Sequence, residues 1–256
     1  MDRPIVPLDC ALLLHAYAHG IFPMSDARDD PDTFWIEPRR RAILPLDGLH
    51  ISRSLAKTVR QDRFRVTADV DFSAVIAHCA ARGEGRVDTW INDDIEQAFH
   101  ALHDVGMAHS IECWHGDDLV GGLYGLAMGR AFFGESMFSL ATDASKVALV
   151  WLVARLRVGG FRLLDCQFMT GHLGSLGAIE ISQSAYLEKL SAALEGYSAV
   201  EAAAAAAGGA ETSAGAGFGD WGALDVALET APPPAGAGAS VSSPGKRILQ
   251  SFTQIS

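Results

Sequence analysis

The chain has 256 residues, of which 49% are apolar and 20% charged, so it can bury a sizeable core and is not disordered throughout. No apolar run approaches the roughly 20 residues that a membrane span requires, and the apolar stretch 11–14 is too short for a secretory signal. We therefore expect a cytoplasmic chain without a membrane segment. The net charge of −11 argues against a generally basic nucleic-acid binder.

The average charge conceals a basic segment. Between Arg39 and Arg65 the sequence has eight cations and two acids, a net charge of +6, which leaves −17 for the rest of the chain. Such an asymmetry indicates either a solvated surface or a local binding site for an anionic partner.

Residues 1–62 predict a small N-terminal domain. A helix is expected over 9–20, where Asp9 is suited to cap it and Gly20 to end it. Residues 21–26 break regular structure, residues 34–36 and 42–44 are typical of short strands, and a basic helix is expected over 52–62.

Residues 63–196 predict a larger domain with a mixed sheet. Strands are expected at 65–67, 109–115, 119–128, 130–138 and 161–168, and helices at 71–81, 93–105, 143–158 and 182–194. A meander of strands followed by a strand that is reached through a helix favours an α/β (α+β) fold.

Residues 197–256 predict a flexible tail, because 15 alanines and 8 glycines occur in the 40 residues from Glu201 to Ser240. Within it, residues 218–228 are expected to touch the body, and residues 247–250 to dock as an edge element.

Asp165 stands at the centre of the near-continuously apolar strand 161–168, and such a strand is buried on both faces. Strand geometry places Asp165 and Gln167 on one face, about 6.6 Å apart. A buried carboxylate needs a partner or takes a raised pKa, which suits a general base. The alternative is a structural pair with an arginine.

Glu135 interrupts a second, aromatic strand directly after Gly134, which permits close approach of a ligand or backbone. The alternative for Glu135 is a salt bridge to Lys146. The predicted helix 143–158 that follows is apolar on most of its circumference, which indicates that it is buried in the core. One of its sides is a candidate wall of a pocket.

Several chemistries lack their signature. No phosphate-binding G-x-x-x-x-G-K-[ST] loop is present, and the histidine pairs at 15/19 and 100/103 lack the carboxylate of a metal motif. The four cysteines are far apart, which excludes a dense disulfide framework and the common zinc ribbons. We expect no metal and no cofactor.

The motifs together resemble the leucyl/phenylalanyl-tRNA–protein transferase family, in family order over residues 11–190. The matching segments are Ala16-Tyr17, Gly20-Ile21-Phe22-Pro23, Leu49–Leu55, Asp88-Thr89-Trp90-Ile91, His109–Glu112, Val120–Gly125, Phe133–Ser139, Ala144-Ser145-Lys146, Asp165-Cys166-Gln167, His172-Leu173 and Ser175–Ala178.

The resemblance implies an enzyme that moves leucine or phenylalanine, and in some members methionine, from tRNA to an N-terminal Arg or Lys of a protein. The modified protein is then degraded through the N-end rule. It also implies an acetyltransferase-like (GNAT) fold for the larger domain.

Residue by residue, the resemblance makes Asp165, Gln167 and Glu135 catalytic. The Gln167 carbonyl would contact the incoming amine, Asp165 would accept its proton, and Glu135 would orient the reacting groups, with proton transfer assisted by the substrate as an alternative. The expected substrate-binding residues are Leu123, Phe132, Leu149, Leu152, Leu156 and Leu164 for the side chain, with Tyr17 and Trp90 near the terminal adenosine. The expected tRNA-binding residues are Arg39, Arg41, Arg53, Lys57 and Arg60.

Two other functions fit parts of the sequence. A CoA-dependent N-acyltransferase of the same fold needs a glycine-rich pyrophosphate loop, whereas loop 139–143 has no glycine and ends in Asp143. A non-catalytic RNA- or peptide-binding protein would use the basic segment but has no need of the set Asp165, Gln167 and Glu135.

Overall fold

The computed structural model describes residues 8–81, 89–198, 218–230 and 243–253. The helices are α1 (Cys10–Ala18), α2 (Arg53–Arg60), α3 (Phe72–Ala80), α4 (Asp93–Asp104), α5 (Ala144–Val158), α6 (Gly171–Ser175), α7 (Gln183–Ala193), α8 (Ala223–Thr230) and α9 (Pro244–Thr253). The strands are β1 (Phe22–Met24), β2 (Phe34–Ile36), β3 (Arg40–Ile43), β4 (Arg65–Ala68), β5 (Ala108–His115), β6 (Asp118–Met128), β7 (Ala131–Ser139), β8 (Leu163–Gln167) and β9 (Ile179–Ser182).

Seven strands form one mixed sheet in the order β4-β5-β6-β7-β8-β3-β9. Strands β7 and β8 run parallel because α5 connects them, and the other neighbouring strands of this sheet are antiparallel. The α/β prediction and the mixed sheet are confirmed. The GNAT-like assignment stays a prediction.

The N-terminal part contributes to the same sheet. Strand β3 lies between β8 and β9, where Ile43 is paired with Asp165 and with Ile179. Strands β1 and β2 form a separate two-stranded sheet, although residues 21–26 were expected to be irregular. Strand β3 is an interior strand of the large sheet, so residues 40–43 of the predicted N-terminal domain pair with strands of the predicted larger domain.

The sheet separates two apolar cores. Period-two geometry sends Phe133 and Leu163 into the core with α1, α3, α4 and α7, and sends the next-door residues Phe132 and Leu164 into the core with α5. Helix α5 is buried on nearly every side, as its sequence predicts. None of the helices in the described ranges is long and apolar enough to cross a membrane.

Two described pieces of the C-terminal region pack on this second core. The indole of Trp221 stacks on His109 and Phe132, at centroid distances of 4.2 and 5.5 Å, and its Nε1 donates to Asp69 Oδ2 at 2.7 Å. The expected contact of residues 218–228 with the body is therefore present. Residues 244–253 form a helix on α2 and α5, so the edge element expected at 247–250 is wrong. Apart from residues 197–198, the rest of the predicted tail lies outside the described residues.

Replacing Trp221 by alanine removes this stacking and the indole hydrogen bond, so α8 should open more often while the sheet stays protected. Hydrogen exchange of the α8 amides should accelerate by about ten-fold or more, since each 1.4 kcal/mol gives a factor of ten. Val226→Ala is the matched control on the same helix, because Val226 is 60% exposed. Equal exchange in the two variants would contradict the anchoring role of Trp221.

Candidate active site

A cavity of about 260 Å³ lies where β7 and β8 part. The two strands pair only from Ala131–Leu163 to Phe133–Asp165, and Gly134 follows directly. A Cβ on Gly134 would stand 3.3 Å from the Asp165 carbonyl oxygen, a tight contact, so glycine suits the point of divergence. Beyond it the separated strands leave room for a ligand.

The cavity lining combines apolar and polar residues. Four leucines from β6, α5 and β8 and the ring of Trp90 supply apolar surface, and polar groups come from β7, β8 and α6. The lining includes Trp90, Leu123, Leu149, Leu152, Leu164, Glu135, Ser136, Cys166, Gln167, Thr170 and His172. Such a lining suits a molecule that carries both an apolar group and polar atoms.

Asp165 is completely buried and does not line this cavity. Arg41 donates from Nε to both carboxylate oxygens, at 2.9 and 3.0 Å, and from Nη2 to Oδ2 at 2.5 Å. Tyr186 Oη donates to Oδ2 at 2.7 Å, and the Gln167 backbone N–H donates to Oδ1 at 2.8 Å. The structure therefore shows the arginine pair that sequence reasoning held open as the structural alternative for Asp165.

Arg41 is enclosed as tightly as its partner. Its guanidinium lies over the rings of Phe22 and Tyr186 at 4.5 and 4.6 Å, and its Nη1 donates to the Gly20 carbonyl at 3.0 Å. Only 1% of Arg41 is exposed. The prediction that Arg41 binds tRNA is therefore wrong, because its side chain has no free surface for a phosphate.

Glu135 lines the cavity, and within the described ranges no cation pairs with its carboxylate. Tyr17 Oη donates to Oε1 at 2.7 Å, and Gln167 Nε2 donates to Oε2 at 2.9 Å. Burial disfavours the charged carboxylate and raises the pKa of Glu135 to about 8, although these two hydrogen bonds act in the opposite direction. The alternative bridge to Lys146 is not formed, since Lys146 pairs with Asp143.

Gln167 connects the two carboxylates. Its φ of +61° lies in the left-handed region, which costs free energy for a residue other than glycine and ends β8. In this conformation its backbone N–H reaches Asp165 while its side-chain Nε2 reaches Glu135. No donor among the described residues reaches the amide Oε1.

The structure brings together most of the predicted side-chain pocket but not all of it. Leu123, Leu149, Leu152 and Leu164 line the cavity, as expected, and Trp90, which was expected near the terminal adenosine, lines it as well. The predictions for three other residues are wrong. Phe132 lies beneath Trp221, Leu156 is fully buried within the core beside α5, and Tyr17 is fully buried with its hydroxyl on Glu135, so it has no ring face for an adenine.

Sequence reasoning missed two kinds of residue. Cys166, Thr170 and His172 line the cavity. All three lie within five residues of Gln167 in the sequence, and this proximity could have identified them as candidate site residues. Tyr186 was not identified, and nothing in the local pattern of α7 distinguishes it from an ordinary core tyrosine.

The remaining predicted tRNA contacts are on the surface. Arg39, Arg53, Lys57 and Arg60 are all exposed, the last three on α2. No group of three or more metal-ligating side chains occurs within the part of the chain that the structure describes.

Removing Arg41 should be far more damaging than removing its neighbour. Arg41→Ala leaves a buried carboxylate without its cation and should lower the free energy of unfolding by about 3–5 kcal/mol. Arg40→Ala removes a pair with Glu180 in which the side chains are 60% and 41% exposed, so its cost should stay below about 1 kcal/mol. Urea denaturation measures both, and similar losses would contradict the assigned role of the Arg41–Asp165 pair.

The raised pKa of Glu135 gives stability a pH dependence with a definite sign. Between the ordinary value of 4.5 and about 8, the folded state holds a proton that the unfolded state has released, so stability falls as pH rises. The free energy of unfolding of the wild type, measured relative to Glu135→Gln, should therefore decline from pH 5 to pH 8. A difference that does not change with pH would show that Glu135 titrates normally.

Comparison with known proteins identifies the family. A sequence model described as leucyl/phenylalanyl-tRNA protein transferase matches residues 43–191, and one for the N-terminal domain of the same family matches residues 7–39. These two matches meet near residue 40, earlier than the predicted domain boundary at 62, which stays a prediction.

Several curated relatives carry the name leucyl/phenylalanyl-tRNA–protein transferase. That of Novosphingobium aromaticivorans is 54% identical over 96% of this chain and 95% of its own length. Those of Zymomonas mobilis and Rhizorhabdus wittichii are 60% and 61% identical over 74% and 79% of this chain, and over 71% and 80% of their own. A solved structure of L-PGS from Bacillus licheniformis matches at 12% identity and a TM-score of 0.34, over 66% of this chain and 55% of that one, too weak a likeness for an argument. With these sequence matches, the chain belongs to the leucyl/phenylalanyl-tRNA protein transferase family and is an aminoacyl-transferring enzyme.

Proposed function

We propose that the protein transfers leucine, phenylalanine or methionine from aminoacyl-tRNA to the N-terminal Arg or Lys of acceptor proteins, and so marks them for degradation through the N-end rule. The single observation that carries the proposal is the cavity between β7 and β8, whose lining combines leucines with Glu135 and Gln167.

The apolar part of the lining suits an aliphatic or aromatic side chain. Leu149 and Leu152 of α5 and Leu123 and Leu164 of the sheet all line the cavity. Apolar pockets discriminate weakly between similar apolar groups, at about 1–3 kcal/mol per methylene, but a charged side chain would lose its hydration without a replacement. Leucine, phenylalanine and methionine are accepted together on this account, and charged amino acids are rejected.

The reaction is aminolysis of an ester. The acceptor α-amine attacks the ester carbonyl carbon, a C–N bond forms, the bond from that carbon to the ribose oxygen breaks, and the amine proton moves to a base while the ribose oxygen gains a proton. The ester is already activated, so positioning and one proton transfer are sufficient.

Glu135 is the carboxylate placed for the proton transfer. It lines the cavity, and its pKa of about 8 is close to that of an α-amine, which makes exchange of a proton between them nearly balanced. Asp165 is fully enclosed by Arg41 and Tyr186, so we assign it a positioning role through the Gln167 backbone. Gln167 Oε1 then accepts a hydrogen bond from the amine.

The donor tRNA is held by charge and by stacking. Exposed Arg39, Arg53, Lys57 and Arg60 suit its phosphates, which sequence-independent binding uses. Trp90 lines the cavity and suits stacking on the terminal adenine, a contact that contributes about 1–3 kcal/mol per base. Asp143 at the start of α5 disfavours the pyrophosphate of a CoA-dependent acyltransferase.

The test is transfer from Phe-tRNA to a peptide beginning with Arg, without ATP. Wild-type protein should modify this peptide and not one beginning with Ala. Glu135→Gln should lower kcat by about 10²–10⁴-fold, because the proton acceptor is lost. The matched control is Glu112→Gln. Glu112 is a fully buried carboxylate of the same sheet, bound by Ser110 and Thr67, and does not line the cavity.

Absence of transfer, or equal transfer to the Ala peptide, would contradict the proposed activity. Wild-type kcat in Glu135→Gln would leave the activity standing but contradict the assignment of the base to this residue.

A further inference from the structure

Helix α9 packs directly on α2. In the sequence it lies after residue 191, where the match to the family model ends. Ile248 is fully buried in the core beside α5, and Ser243 Oγ donates to the Arg60 carbonyl at 3.4 Å. Gly245 is the closest point, since a Cβ there would stand 1.9 Å from the Val59 carbonyl oxygen. The contact thus depends on the smallest residue and places α9 close to the α2 backbone.

The exposed side of α2 is a row of cations. Arg53, Lys57 and Arg60 recur at helical spacing and are all exposed, and Arg63 and Arg65 follow, also exposed. From Arg53 to Arg65 the sequence has a single acid, Asp62.

Helix α9 changes the charge of this surface in two ways. The Gly245 N–H in its first turn donates to Asp62 Oδ1 at 2.7 Å, so the positive end of the helix offsets the charge of this acid. Lys246 follows Gly245 directly and is exposed. Gly245 contacts Val59 and Asp62, and the next residue after each of these is an exposed arginine, Arg60 and Arg63. The described α9 contains two cations and no acid.

We propose that α9 extends the basic surface of α2 and that the two helices together bind the phosphates of the donor tRNA. This inference rests on the proposed function for the nature of the RNA. An anionic polymer fits because α9 adds the exposed ammonium of Lys246 beside the cations of α2, brings no acid, and donates a backbone N–H to Asp62. The surface lies outside the cavity, so it affects RNA binding and not the chemical step.

The experiment measures binding of Phe-tRNA by Lys246→Ala over a series of salt concentrations. Loss of one phosphate contact should weaken binding several-fold at low salt and reduce the slope of log K against log salt by about 0.7–0.9. Lys189→Ala is the matched control, because Lys189 is an exposed lysine on α7, which packs on the opposite face of the sheet. Transfer from a phenylalanyl-adenosine ester, which lacks the RNA body, should be unchanged in both variants.

An Arg53→Ala/Arg60→Ala double variant distinguishes the role of α9 from that of the α2 surface. If the double variant weakens binding and Lys246→Ala has the wild-type slope, the role of α9 is overturned while the α2 surface stands. If neither variant alters the slope, the RNA surface assigned to α2 falls as well. If Lys246→Ala and Lys189→Ala weaken binding equally, the loss reflects only the change in net charge, and the inference is overturned.

Discussion

The site depends on one buried ion pair, between Arg41 of β3 and Asp165 of β8. A carboxylate with no exposed surface is costly unless a cation and hydrogen bonds satisfy it, and Arg41, Tyr186 and the Gln167 N–H do so here. The pair joins a strand from the N-terminal part to the strand that follows α5, so it forms only when the sheet is assembled. It fixes the end of β8 and with it Gln167.

The two carboxylates of the site are neighbours with different environments. Asp165 has a guanidinium in contact and does not line the cavity, whereas Glu135 lines it and, among the described residues, accepts hydrogen bonds from the neutral side chains of Tyr17 and Gln167. Because of this environment, and not because of residue type, Asp165 suits a structural role and the pKa of Glu135 is raised to about 8. Gln167 links the two carboxylates, because its backbone N–H donates to Asp165 and its side-chain amide donates to Glu135.

Much of this arrangement follows from local patterns in the sequence. The apolar strand around Asp165, the apolar α5 and the hairpin of β5 and β6 are strong signals, and the structure has each of them. Arg41 was misjudged because it was counted by charge, although the alternation of β3 sends Arg40 outward and Arg41 inward. Phe132 was misjudged because its cover, Trp221, comes from a segment whose composition resembles a linker. Neither the parting of β7 and β8 nor the left-handed Gln167 has a local signature, since both arise from long-range pairing.

On the proposed function, the aminoacyl group occupies the gap between β7 and β8, with its ester at Glu135 and Gln167 and with Asp165 shielded. A crystal structure with a non-hydrolysable phenylalanyl-adenosine analogue is the decisive measurement. The phenyl ring should lie among Leu123, Leu149, Leu152 and Leu164 and the carbonyl carbon beside Glu135, while Arg41 still encloses Asp165. A ring bound elsewhere, or an Asp165 carboxylate released from Arg41 and touching the ligand, would overturn this placement.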